Sequence, residues 1–344
     1  MATPAVTQVP THTVPALSSP VPSQTASPNF THFTATVPDK TAQPGGVVGL
    51  NIPTQASGAL HYITPVSGNY RPVYRTLQFH YGDHFKDDLY TIRIPINMSV
   101  YYGAKQSTLQ MPVVATNSEE LFNYAYSMRN EPAMNELYDD LITELRNCRY
   151  QKGNYLSDDE YLEMIVSFVQ QIPLSESTSL KRRYPVEVIY ENRGDVDEKA
   201  NLLVNLLSRE GYATSQMVFA DEHYVGVGIP DLSTTASPNL RTFSNGKVNY
   251  LFIDMSKPAF IGDFPDRFRN AGDPVIFPIG NGNKTYGEIN SVWNILTDVR
   301  TLENHNLTTL ATSILSYPWD REGTCLMIKN AKLESRNLVC YCCD

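Results

Sequence analysis

Asp195-Val196-Asp197-Glu198-Lys199-Ala200-Asn201-Leu202-Leu203-Val204-Asn205-Leu206-Leu207 is the stretch on which the fold turns. Asp195 has the short carboxylate that accepts from the free backbone N–H groups at a helix start. Glu198 stands three residues on, where its side chain can reach back to the cap. Ala200, Leu203, Val204 and Leu207 repeat at helical spacing, and Leu202 and Leu206 widen the stripe. Gly211 ends the run with the residue that best tolerates a left-handed cap. A helix apolar over so much of its circumference is expected to be packed inside a domain.

Downstream of this helix lie three strand patterns, Ser215 to Phe219, His223 to Ile229 and Tyr250 to Asp254, with residues 231 to 248 reading as a loop. Short connections suit antiparallel neighbours. Upstream, Ser157 and Glu160 form a second capping box. Tyr161, Met164, Ile165, Phe168, Val169 and Ile172 then mark one buried face, and Pro173 stops the helix. An earlier helix around Met134 to Asn147 carries Leu137, Leu141, Ile142 and Leu145. Thr76 to Tyr81 and Tyr90 to Ile94 alternate as strands do, around a turn-like stretch from Gly82 to Asp88. The expected fold is α+β, a Leu-rich helix packed on an antiparallel sheet. Residues 118–265 would be its core, 59–117 a β-rich accessory segment and 266–344 a C-terminal extension. Residues 1–58 are rich in Pro, Thr and Ser, with little charge and no lasting apolar period. They bury too little to offset chain entropy and read as a disordered spacer, either a stalk or an ordinary tail.

With 42% apolar residues the 344-residue chain can build a sizeable core. Charged residues are 18% and the net charge is −9, which disfavours nucleic acid as a partner. The basic run Lys181-Arg182-Arg183 reads as a solvated loop. No apolar stretch approaches the ~20 residues of a membrane helix, and Met1 to Val14 lack a signal pattern. The expectation is therefore no membrane span, with the spacer favouring an extracellular or cell-surface location. Cys148 reads as a core thiol. Cys340-Tyr341-Cys342-Cys343 is formally a CxxC, without a second pair or a histidine at zinc spacing. A free-thiol tail is the plainer reading, with a soft-metal or disulfide tail as the alternative. His80 and His84 lie near Asp83, Asp87 and Asp88, yet a four-residue spacing on a hairpin does not converge as it would on a helix, so a polar turn is expected. No metal and no cofactor is expected. Sequons occur at Asn29, Asn97, Asn283 and Asn306.

Five elements in order carry a resemblance. They are Tyr184-Pro185-Val186-Glu187, then Gly194-Asp195-Val196-Asp197-Glu198 opening the Leu-rich helix, then His223-Tyr224-Val225-Gly226-Val227. Ile253-Asp254 and Ile261-Gly262-Asp263-Phe264-Pro265 follow. Over roughly residues 118 to 265 the chain resembles the transglutaminase-like cysteine peptidase superfamily, in particular its archaeal and bacterial surface-type members. The resemblance implies a papain-like core and a triad: a cysteine at position 196, His223 on the neighbouring strand and Asp254 to orient the imidazole. The logic is physical. A thiol in the first turn of a helix feels the positive end of the dipole and ionises more readily, and the histidine holds its proton.

This sequence departs from the family pattern at the nucleophile, where Val196 stands. Valine has no nucleophilic atom, yet it is close to cysteine in size, so the packing should survive within ~1.5 kcal/mol. The resemblance therefore implies a catalytically inactive transglutaminase-like domain, binding a peptide or protein partner in the old substrate groove. Two alternatives stand beside it: an active cysteine hydrolase or acyl transferase, if position 196 varies, and a structural surface protein on a stalk.

Overall fold

The computed structural model describes residues 63–82, 88–107, 129–153, 155–175, 181–231, 241–268, 270–318, 320–334 and 341–342. All belong to the unit Val47–Asp344. The stretch read as a spacer lies outside them, as do Asp83, His84 and Asp87. The chain opens with an antiparallel hairpin, β1 (Val73–His80) and β2 (Leu89–Ile96), in register from Val73↔Ile96 to His80↔Leu89. Its alternation buries Leu77, Phe79, Tyr90, Ile92 and Ile94 on one face. Helix α1 (Met98–Gln106) follows, capped by the side chain of Asn97, which accepts from Ser99 and Val100. Helices α2 (Asn135–Cys148) and α3 (Asp158–Gln170) close where the apolar periods predict, and α3 carries the full Ser157/Glu160 capping box. Tyr-Pro-Val-Glu forms the start of a short helix, α4 (Pro185–Glu191), with the proline at the first helical position, where its missing N–H costs nothing. Helix α5 (Val196–Arg209) begins at the residue after the predicted cap, with both halves of the Asp195/Glu198 box formed.

Five strands make the second sheet: β3 (Ser215–Phe219), β4 (Tyr224–Asp231), β5 (Thr242–Ser244), β6 (Asn249–Ile253) and β7 (Val275–Pro278). Their order is β5-β6-β4-β3-β7, with antiparallel neighbours throughout. Helix α5 packs against β4 and β3. Val218, Val225, Val227, Ile229, Leu251 and Ile253 join the core that holds α5. Met217, Phe219, Tyr224, Tyr250 and Phe252 point to the other face, where Phe243 and Phe268 complete a second, mostly aromatic core. Gly226 lies on that second face, and a Cβ there would collide with the Phe252 ring. Three C-terminal helices follow: α6 (Ile289–Asn304), α7 (Thr308–Ser316) and α8 (Arg321–Glu334). Among the described residues no helix is long and apolar enough to cross a membrane.

The α+β expectation is met, with eight α-helices and two antiparallel sheets among the described residues. Three local readings are corrected. The span 231 to 248 is not wholly loop, because Thr242–Ser244 pairs with β6. The three strands read after the helix are not the whole sheet. Val275–Pro278 pairs with β3 from Val218↔Val275 to Ser215↔Pro278, and four residues are too few for alternation to stand out in sequence. His223 is not in the strand. Phe219 pairs with Tyr224, and Ala220 to His223 form the turn between them.

Candidate functional site

Val196 opens α5 amid charge. The Asp195 side chain accepts from the Glu198 N–H at 2.9 Å, and the Glu198 carboxylate accepts from the Asp195 N–H at 2.9 Å. Arg182 bridges Asp195 at 2.7 Å and Asp197 at 3.1 Å. Arg183 binds Glu198 at 2.9 Å and Glu191 at 3.2 Å, and its backbone N–H also donates to Glu198. Lys181-Arg182-Arg183 is thus not simply a solvated loop: Arg182 and Arg183 are partly buried and clamp the helix start. Three carboxylates at the helix start, the Asp195 cap with Asp197 and Glu198 of the first turn, demand that positive charge. Burial, reinforced by the charge of Asp195, still lifts the Asp197 carboxyl to about 7 against the opposing pull of Arg182. The dipole end that would favour a thiolate is therefore already surrounded by acid groups.

The Val196 side chain is half-buried and packs against both cores. The aromatic core includes Tyr224, the residue after the predicted histidine. The Tyr224 hydroxyl donates a short hydrogen bond to Asp254 Oδ1. The same oxygen accepts from the Ser256 N–H and Oγ, each at 2.8 Å. Asp254 is fully buried, and its Oδ2 has no hydrogen-bond partner. Burial, then the Asp254 charge, holds the Tyr224 phenol well above its ordinary range. His223 stands apart: it is exposed at the tip of the β3–β4 turn, with φ 49°, and its N–H donates to the Ala220 carbonyl at 3.3 Å. The hydrogen bonds to the Asp254 carboxylate come from Tyr224 and Ser256; the expected His223–Asp254 bond is not formed. The structure brings Val196 and Tyr224 into one cluster and ties Asp254 to it through the phenol.

Two further buried groups frame this end of the sheet. Lys199, 1% exposed, lies one helical turn beyond Val196 and donates from Nζ to the Gln170 carbonyl at 2.8 Å. Burial lowers its ammonium to about 8, while Asp254 acts in the opposite sense. The Gln170 amide donates to the carbonyls of Asp254 (2.7 Å) and Ala259 (3.3 Å), tying α3 to the segment after β6. Sequence reading missed Tyr224, Lys199 and Gln170. The signal for Tyr224 was present: strand alternation sets it on the face of Phe252 and Asp254, two and four residues beyond Tyr250. That for Lys199 was its three-residue offset from Val196.

Elsewhere, Cys148 is a core thiol, pushed up to about 12 by burial. His80 Nδ1 lies 3.1 Å from Asp88, a contact within the hairpin, and among the described residues no group of side chains is arranged to hold a metal. Asn97 spends its side-chain oxygen on the α1 cap and its amide on Glu136. Beside the β3–β4 turn lies a small open cleft of about 70 Å³, bordered by Phe219, Asp221, Glu222 and Asp273. Compared with known proteins, the chain matches no family model, no curated protein and no solved structure.

Proposed function

We propose that this chain is a non-catalytic, transglutaminase-like domain that binds a peptide or protein segment at the end of the sheet where α5 begins. The observation that carries this reading is Asp254. The carboxylate that would orient a catalytic imidazole is buried and bonded to the Tyr224 phenol, and position 196 holds valine. A phenol held above its ordinary range is a poor base at neutral pH. The exposed imidazole of His223 has no carboxylate to hold its tautomer and no thiol to deprotonate. The helix start has the Asp195/Glu198 cap that the resemblance implies, which supports a related scaffold whose chemistry is lost. The partner is a basic peptide segment, because the cleft beside the turn is bordered by Asp221, Glu222 and Asp273.

Two measurements test this. The full chain, incubated with a glutamine-donor peptide and an amine, and separately with peptide substrates, should show no turnover that iodoacetamide blocks. Residual activity should stay within roughly 10³ to 10⁴ over water, the level left when a triad loses its nucleophile. A robust, alkylation-sensitive turnover overturns the non-catalytic reading. Selection from a random peptide library should enrich Lys and Arg, with binding weakened by salt and by Asp221→Asn with Glu222→Gln. Enrichment of acidic or apolar peptides would remove the proposed partner class.

A further inference from the structure

Cys342, which the sequence groups with Cys340 and Cys343, has a neighbour that its numbering does not suggest. Cys325, in the second turn of α8, meets Cys342, and the two thiols share a hydrogen bond. Both are half-buried against the main core. Each is held from its own side. Asp298 of α6, 1% exposed, accepts from the Tyr341 N–H at 2.9 Å and from the Cys342 N–H at 2.9 Å. Two backbone donors on one buried carboxylate fix residues 341 and 342 against α6. On the other side, buried Asp320 takes the Gly323 N–H at 2.7 Å, and its carbonyl accepts from the Thr324 N–H at 2.9 Å. Arg321, beside it, is bound to Glu163 at 3.4 Å and to Glu288 at 2.6 Å. The start of α8 is therefore as firmly set as the tail.

We propose that Cys325 and Cys342 are an oxidisable dithiol, a disulfide-forming site that ties α8 to the C-terminal tail on reaction with a small-molecule disulfide such as oxidised glutathione. The two sulfurs divide the labour. The hydrogen bond from Cys342 favours the thiolate of Cys325, although burial opposes it, and the same bond together with burial keeps the proton on Cys342. Cys325 attacks one sulfur of the oxidant, breaking its S–S bond and expelling a thiolate. Cys342 gives up its proton and attacks the mixed disulfide at Cys325, expelling the second thiolate. Two protein thiols become one disulfide, and one small disulfide becomes two thiols that carry off both protons. Cys148 takes no part, since its buried thiol resists ionisation.

The test uses the reduced full chain, treated with oxidised glutathione, quenched in acid and digested with trypsin without reduction. Cleavage after Lys329 and Arg336 leaves Cys325 and the tail cysteines on separate peptides, so peptide fragmentation assigns the tail sulfur that is linked. The Cys325–Cys342 link should exceed every other pairing by about tenfold. It should persist in Cys340→Ser and in Cys343→Ser, whereas Cys342→Ser should trap glutathione on Cys325. A main product within the tail itself, an even scatter of pairings, or intermolecular links alone would overturn the proposal. So would zinc bound stoichiometrically to the reduced chain with thiols that react only after chelation, which would make the tail a metal site.

Discussion

Tyr224 is the residue that most changes the reading of this molecule. Its position beside His223 hid it, because a histidine in such a motif draws attention away from its neighbour. The backbone decides between them: the strand starts at Tyr224, and His223 is left in the turn with a left-handed φ. The identity of the acidic partner, Asp254, was legible in sequence as a strand end; its actual bond was not, because register across β4 and β6 depends on turn geometry that composition does not encode. Tyr224→Phe should destabilise the fold by about 1–3 kcal/mol in urea titrations, since it strips a donor from a buried carboxylate. A neutral result would mean that the Tyr224–Asp254 bond contributes nothing net to stability. Val196→Cys probes the same place differently. With Asp197 and Glu198 beside it and His223 in solvent, the new thiol should titrate near or above the free-cysteine value of about 8.5. Iodoacetamide rates measured against pH will decide, and a midpoint well below about 7 would restore the case for a decayed but poised catalytic site.

Helix α5 was the most legible element, since cap, stripe and terminating glycine agree at every level. What sequence could not supply was the pair of arginines that neutralise its first turn, because ion pairing between residues 182–183 and 195–198 is set by the packing of α4. Arg183→Ala should cost about 3 kcal/mol or more in chemical denaturation, as Glu198 would be left buried without its cation. Arg183→Lys should recover only part, lacking the second arm that reaches Glu191. The same turn gives a pH dependence. Asp197 titrates at about 7 in the folded chain and at about 3.9 when unfolded. Between those values the folded state holds a proton that the unfolded state has released. This group therefore removes stability as pH rises from about 4 to about 7, with no further change above. Asp197→Asn should flatten that slope, narrowing the difference between urea midpoints at about pH 5 and about pH 8. An unchanged slope would place the titration elsewhere, for instance on Glu163 or Asp195, both also raised mainly by burial.

At the scale of the whole molecule, the residues beyond 265, read as an extension covering the core, are tied into it by a strand and by buried polar groups. Strand β7 completes the sheet, Tyr286 donates to buried Glu163 at 2.5 Å, and Arg321 lies against the same carboxylate. These links are long-range and polar, the kind that local periodicity cannot announce. A chain ending at residue 265 should accordingly lose cooperative thermal unfolding, read as a broadened or absent calorimetric peak; a sharp transition in the truncated chain would show the C-terminal part to be dispensable. The placement of β7 also has a consequence in time. Every residue of β3 is buried, and one of its two edges is covered only by a strand that is made about 60 residues later. At ribosomal speeds of about 5–20 residues per second, that edge waits roughly 3–12 s for its partner. For that interval a strand edge stands with its backbone N–H and C=O groups unpaired. Through that edge a nascent chain of this protein is open to pairing with another copy, and a chaperone that holds it there would prevent this.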